Sequence, residues 1–119
     1  LTQALATGCR KYVAKIHALR GEIALAGRAW DRATADLAEA LRVAREIAYP
    51  TLTWQGAQLL ARAQAGLGKR QEALVSARLA AETIDTVVAR IPDPALKGTF
   101  LAWTRVQAVK EDLDRFGRG

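Results

Sequence analysis

Apolar residues recur along this chain at steps of three and four, the spacing that lines them up on one side of an α-helix. Five segments carry the pattern. The first, 2–26, aligns Leu5, Cys9, Tyr12, Ile16, Leu19 and Ile23. The second, about 31–48, aligns Ala33, Leu37, Ala40, Leu41, Ala44 and Ile47. A third, about 51–67, is opened by Pro50, whose missing N–H would have no partner in a first turn anyway. The fourth, about 70–91, carries Ala73, Ala77, Ala80, Ile84, Val87 and Ile91. The fifth, about 93–116, starts from Asp93-Pro94, an N-cap followed by an N1 proline, and carries Leu96, Phe100, Trp103, Val106, Leu113 and Phe116. Isolated helices cannot bury such stripes, so each is expected to pack on its neighbours. The connections at 27–30, 49–50, 66–69 and 92–93 are short, which forces consecutive helices to run antiparallel.

Superimposed on the helices is a repeat with a period of 40 residues. Gly21 recurs as Ala61, Ala33 as Ala73 and Ala40 as Ala80; Leu19 matches Leu59, and the apolar pairs Leu37/Ala77 and Ile47/Val87 follow the same offset. A small residue is required where two helices approach closely, and here the small residues return at matching places in two helix pairs. Repeats of 20–50 residues indicate a solenoid. The units run about 10–49 and 50–91, with a terminal helix at about 93–116.

These residues resemble the tetratricopeptide (TPR) pattern. In that family a small residue sits in the first helix, a Gly and an aromatic lie near the turn, small residues occupy two sites of the second helix, and a Pro ends the unit. Here the roles fall to Gly21, Gly27 with Trp30, Ala33 and Ala40, then Pro50; in the second unit to Ala61, Gly68, Ala73 and Ala80, then Pro92. The pattern is departed from in unit length, in Arg28 where Gly is usual, in Arg70 at the turn aromatic, and in Leu101 where a small residue is expected. The stretches Ile16-His17-Ala18-Leu19-Arg20-Gly21-Glu22-Ile23, Tyr49-Pro50-Thr51-Leu52-Thr53-Trp54-Gln55, Ile91-Pro92-Asp93-Pro94 and Phe100-Leu101-Ala102-Trp103 resemble the C-terminal TPR array of large bacterial signal-transduction ATPases and nucleotide-cyclase-type regulators. The resemblance implies an all-α, right-handed TPR-like α-solenoid of antiparallel helix pairs, about five helices in all. It implies a cytoplasmic protein–protein interaction or scaffolding arm that binds a peptide or a neighbouring domain in its concave groove. Carried over position by position, the groove lining is Lys15, Ala18, Glu22, Gln55, Gln58, Arg62, Thr99 and Arg105. Ala18 and Glu22 stand where a terminal-carboxylate clamp would begin, so chaperone-tail binding is not expected.

Composition narrows the picture in three ways. The chain has 119 residues, enough for one domain with its own core, and half of them are hydrophobic. Its net charge of +6 is uneven: Arg10, Lys11, Lys15, Arg20 and Arg28 face only Glu22 within the first thirty residues. A basic end can steer an acidic partner, but the lone Tyr12 among these cations is not the series of aromatics a nucleic-acid stacking surface needs; nucleic-acid binding is the least favoured reading. No apolar stretch reaches the ~18 uncharged residues of a membrane span. The opening Leu1-Thr2-Gln3 does not read as a signal peptide, and the absence of any Met suggests a piece of a longer polypeptide.

Candidate chemistry is sparse, and no catalytic residue, cofactor or metal ligand set is expected. His17 is the single histidine; a general base needs an orienting carboxylate, and Glu22 points elsewhere on the helix. Cys9, the single cysteine, lies on the first apolar stripe as a small hydrophobe. Gly66-Leu67-Gly68-Lys69 lacks P-loop spacing and reads as a turn. The acidic run at 111–114 reads as solvated surface, and Trp54, Phe100 and Trp103 as packing residues. An alternative to groove binding is an architectural or self-association role, because the apolar flank of the first helix is left bare.

Overall fold

A computed structural model describes residues 2–117, with side chains described from Cys9 onward. It contains six helices: α1 (Thr2–Ala26), α2 (Trp30–Glu46), α3 (Pro50–Gly66), α4 (Arg70–Ala89), α5 (Pro94–Ala102) and α6 (Thr104–Gly117). Successive helices from α1 to α4 pack antiparallel, and α6 lies against α4 and α3. The molecule measures 44 × 35 × 20 Å. Its short axis is about two helix diameters, so most of the core lies between two helices rather than at the centre of a ball.

One device makes three of the turns. Arg28 N–H donates to Leu25 O at 3.0 Å and Ala29 N–H to Ala24 O at 2.8 Å. The same pair of bonds recurs at Ala48 and Tyr49, and again at Gly68 and Lys69. This is the Schellman termination, which places one residue in the left-handed region. That residue is Arg28 (φ 58°), Ala48 (φ 54°) and Gly68 (φ 77°) in turn. The turn glycine of the first unit, Gly27, is therefore not the left-handed residue; Arg28 holds that conformation without glycine's freedom. A side chain there costs about 1–2 kcal/mol, partly offset by the chain entropy that glycine would lose. Arg28→Gly and Ala48→Gly are each expected to raise stability by about 0.5–1 kcal/mol, read as a higher urea midpoint at unchanged slope.

The forty-residue register survives in three dimensions. Positions 31–40 and 71–80 share one sequence of buried, half-buried and exposed residues, position by position. Ala33, Ala40, Ala61, Ala73 and Ala80 are fully buried. A Cβ added to Gly21 would lie 2.5 Å from Leu37 Cγ, so α1 touches α2 there with no room for a side chain. Gly66 does the same for the Trp30 ring, also at 2.5 Å.

Three expectations are corrected. The segment 93–116 is not one helix: it breaks at Trp103, whose ψ of 130° is extended. Trp103 O begins α6 by accepting from Val106 and Gln107, while the Gln107 side-chain amide caps Leu101 O at 2.7 Å. The break lets Phe100 and Trp103 turn onto Trp54 while Val106 and Val109 enter the main core. Next, the apolar stripe of α1 does not pack within the chain. Tyr12, Ile16, Leu19 and Ile23 are 55–68% exposed and Cys9 is exposed too; Leu5 lies outside the residues whose side chains are described. Ala14, Gly21 and Ala24 face inward instead, because small residues let α1 approach α2 closely. Finally, the run at 111–114 is not wholly solvated: Asp112 is buried, accepting from Arg62 at 2.7 Å and Arg115 at 3.1 Å.

Candidate functional site

The residues assigned to a groove divide into two sets. Lys15, Ala18 and Glu22, spaced three and four apart on α1, form one wall of a cleft with Leu19. Gln55, with Tyr49, Thr51 and Leu52, forms the other wall from the start of α3. Arg105 reaches across from α6 and donates to Glu22 Oε1 at 3.3 Å. The Lys11 ammonium sits 4.7 Å from the centre of the Tyr49 ring beside the cleft. These five assigned residues are brought together.

The other three serve elsewhere. Gln58 is 4% exposed and offers no surface to a ligand. Arg62 is committed to Asp112, tying α3 to α6. Thr99 donates to Ala95 O at 3.0 Å and lines a separate apolar hollow with Ile91, Leu96, Phe100, Ala102, Trp103 and Thr104. Carrying a groove over by register treated the fifth segment as a straight continuation, and the break at Trp103 sends α5 and α6 in different directions.

The α1–α3 cleft holds about 200 Å³. That is below the roughly 300–1,000 Å³ typical of small-molecule and cofactor sites. It suits one side chain or a short run of main chain. Its polar groups are an ammonium, a carboxylate, two hydroxyls and a primary amide, which together can donate to and accept from a peptide backbone.

Sequence reasoning missed one polar cluster. His17 Nδ1 lies 3.0 Å from Asp36 Oδ1, and Arg20 Nε lies 3.9 Å from the same oxygen. The carboxylate absent from His17's own helix comes from α2, where Asp36 is buried at the position equivalent to Ser76. Ser76 donates to Gln64 Oε1 at 2.7 Å, so in both units this site joins the two helices of a pair by a polar bond. Two cations of the basic end lie beside α2 carboxylates: Arg20 near Asp36, and Arg10 against Glu46, which also accepts from Arg42 at 2.8 Å. Among the described residues, no group of three or more His, Cys, Asp or Glu is placed to hold a metal ion, and no helix is long and apolar enough to cross a membrane.

No family model, curated protein or solved structure matches the chain significantly.

Proposed function

We propose that this chain is a TPR-like helical-repeat module of a larger bacterial regulatory protein, that its α1–α3 cleft binds a peptide or neighbouring-domain segment, and that it works by binding rather than catalysis. The observation that carries the reading is the forty-residue register, which sets two first helices, α1 and α3, side by side with a polar-walled cleft between them. The cleft's size favours an extended segment over a cofactor. Arg10 and Arg20 lie beside α2 carboxylates rather than standing alone on the surface, which weighs against nucleic acid as the occupant.

The test is selection of a random-peptide display library on the immobilised chain. Peptides that enrich are expected to lose about fivefold or more in affinity against Gln55→Ala with Thr51→Ala, the loss of a modest hot spot. Both positions lie at the start of α3, and circular dichroism should show the helices intact. No enrichment, or enriched peptides indifferent to both substitutions, would remove the cleft from consideration.

A further inference from the structure

The bare stripe of α1 is a heptad. Cys9, Ile16 and Ile23 fall at one apolar position, and Tyr12 and Leu19 at the other, with steps of three and four alternating throughout. A coiled coil uses this spacing to keep two helices in contact. The helix is 25 residues long, and the seam residues from Cys9 to Ile23 cover about two heptads of it. Its exposed members are large: Tyr12 is 68% accessible, Val13 44%, Ile16 55%, Leu19 58% and Ile23 65%. A contiguous apolar stripe of this kind marks an interaction surface.

The register says which occupant fits. Forty residues on, Leu52, Thr53, Gly56, Leu59 and Ala63 hold the equivalent places on α3, and all are buried in this chain. A Cβ built on Gly56 would lie 4.0 Å from the backbone of Leu41 on α2, already in ordinary contact before any larger side chain is added. Ile16 occupies that place on α1, and Ile23 the place of Ala63. A helix laid over α1 as α2 lies over α3 would be held off by both. Bulky residues on both sides are what a heptad seam accommodates, knob into hole.

Charge selects the direction. Lys15 and Glu22 flank the seam on one side, Val13 and Arg20 on the other. Two copies in parallel would set Lys15 against Arg20 of the second copy, a repulsive pair. Two copies antiparallel, with Ile16 facing Leu19 and Tyr12 facing Ile23, set Lys15 twice by symmetry against Glu22, whose carboxylate also accepts from Arg105 of its own chain at 3.3 Å. The same register lays the Arg20 stem along Val13. We infer that this chain forms a two-fold symmetric dimer through an antiparallel α1–α1 seam, its partner being a second copy of itself. The seam shares Lys15, Leu19 and Glu22 with the cleft wall, so the two readings are told apart by Gln55 and Thr51, which belong to the cleft alone, and by Tyr12, Ile16 and Ile23, which belong to the seam alone.

Sedimentation equilibrium on the whole chain tests it. A single monomer–dimer equilibrium is expected. Ile16→Asp with Leu19→Asp should abolish the dimer with helical content retained, because both side chains are exposed. Lys15→Glu should weaken the dimer about tenfold by turning two attractive pairs repulsive, and adding Glu22→Lys should restore it. As a second readout, Ala26→Cys should crosslink to Cys9 of the other copy under oxidised glutathione, whereas the unaltered chain should give no Cys9–Cys9 crosslink. A wild-type chain that stays monomeric, a Lys15→Glu chain that dimerises more tightly, or a dimer indifferent to the two Asp substitutions would each overturn the proposal.

Discussion

Trp54→Ala is expected to lower unfolding stability by about 4 kcal/mol, the upper part of the range for truncating a large buried aromatic. Trp54 is the largest fully buried side chain, and its ring meets Phe100 at 6.3 Å and Trp103 at 5.7 Å, both edge to face. Removing it takes away the aromatic partner that, among the described residues, joins α3 to Phe100 on α5 and to Trp103 at the break. α5 has no buried residue of its own, so its position rests largely on this cluster. Hydrogen exchange in the Trp54→Ala chain should therefore rise most in α5. The indole Nε1 is buried without a hydrogen-bond partner among the described residues. Trp54→Phe deletes that donor along with part of the ring, so it should cost well under half as much. A Phe chain as unstable as the Ala chain would show that ring volume, rather than the aromatic contacts, dominates.

Gly21→Val is expected to cost about 3 kcal/mol, the high end for overpacking. Valine's Cβ would start 2.5 Å from Leu37 Cγ and 2.6 Å from Leu37 Cδ2, inside contact distance before its methyls are added. Leu37 is itself fully buried and has little space to retreat into. Gly21→Ala sets two effects against each other. Alanine gains about 1 kcal/mol of helix propensity, while the clash with Leu37 costs about 1–3 kcal/mol. A net loss of about 1 kcal/mol is expected in urea denaturation. A stabilised Gly21→Ala chain would mean that α1 can move away from α2 freely, and the close-approach account of the small residues would not stand.

How far the sequence disclosed this depends on how local each signal is. Pro50 at a helix start and the Asp93 cap, whose carboxylate accepts from Ala95 N–H at 2.8 Å, are read from adjacent residues and lie where expected. The small residues Gly21, Ala33, Ala61 and Ala73 were legible because close approach leaves no other choice of side chain. The helix break at Trp103 was not. Tryptophan carries no turn signal, and Leu96, Phe100, Trp103 and Val106 keep helical spacing straight through it. A bare apolar flank on α1 was anticipated, but not that Tyr12, Ile16, Leu19 and Ile23 all lie on it: periodicity tells which residues share a face, not which face meets the core. Of the groove residues, those on α1 and early α3 came together because their register is set by one repeated turn. Gln58, Arg62 and Thr99 depended on how later elements fold over α3, which no local pattern encodes. The His17–Asp36 contact, between separate helices, was hidden for the same reason.

Arg28, Ala48 and Gly68 end their helices with the same bonds, twenty residues apart each time. Because every joint reverses the chain's direction, inserting or deleting one helix with its joint would leave everything downstream running the wrong way. Gain or loss of two together would restore both heading and side-chain facing. Length variants of this protein should thus be tolerated in steps of a full pair, and single-helix variants should fail.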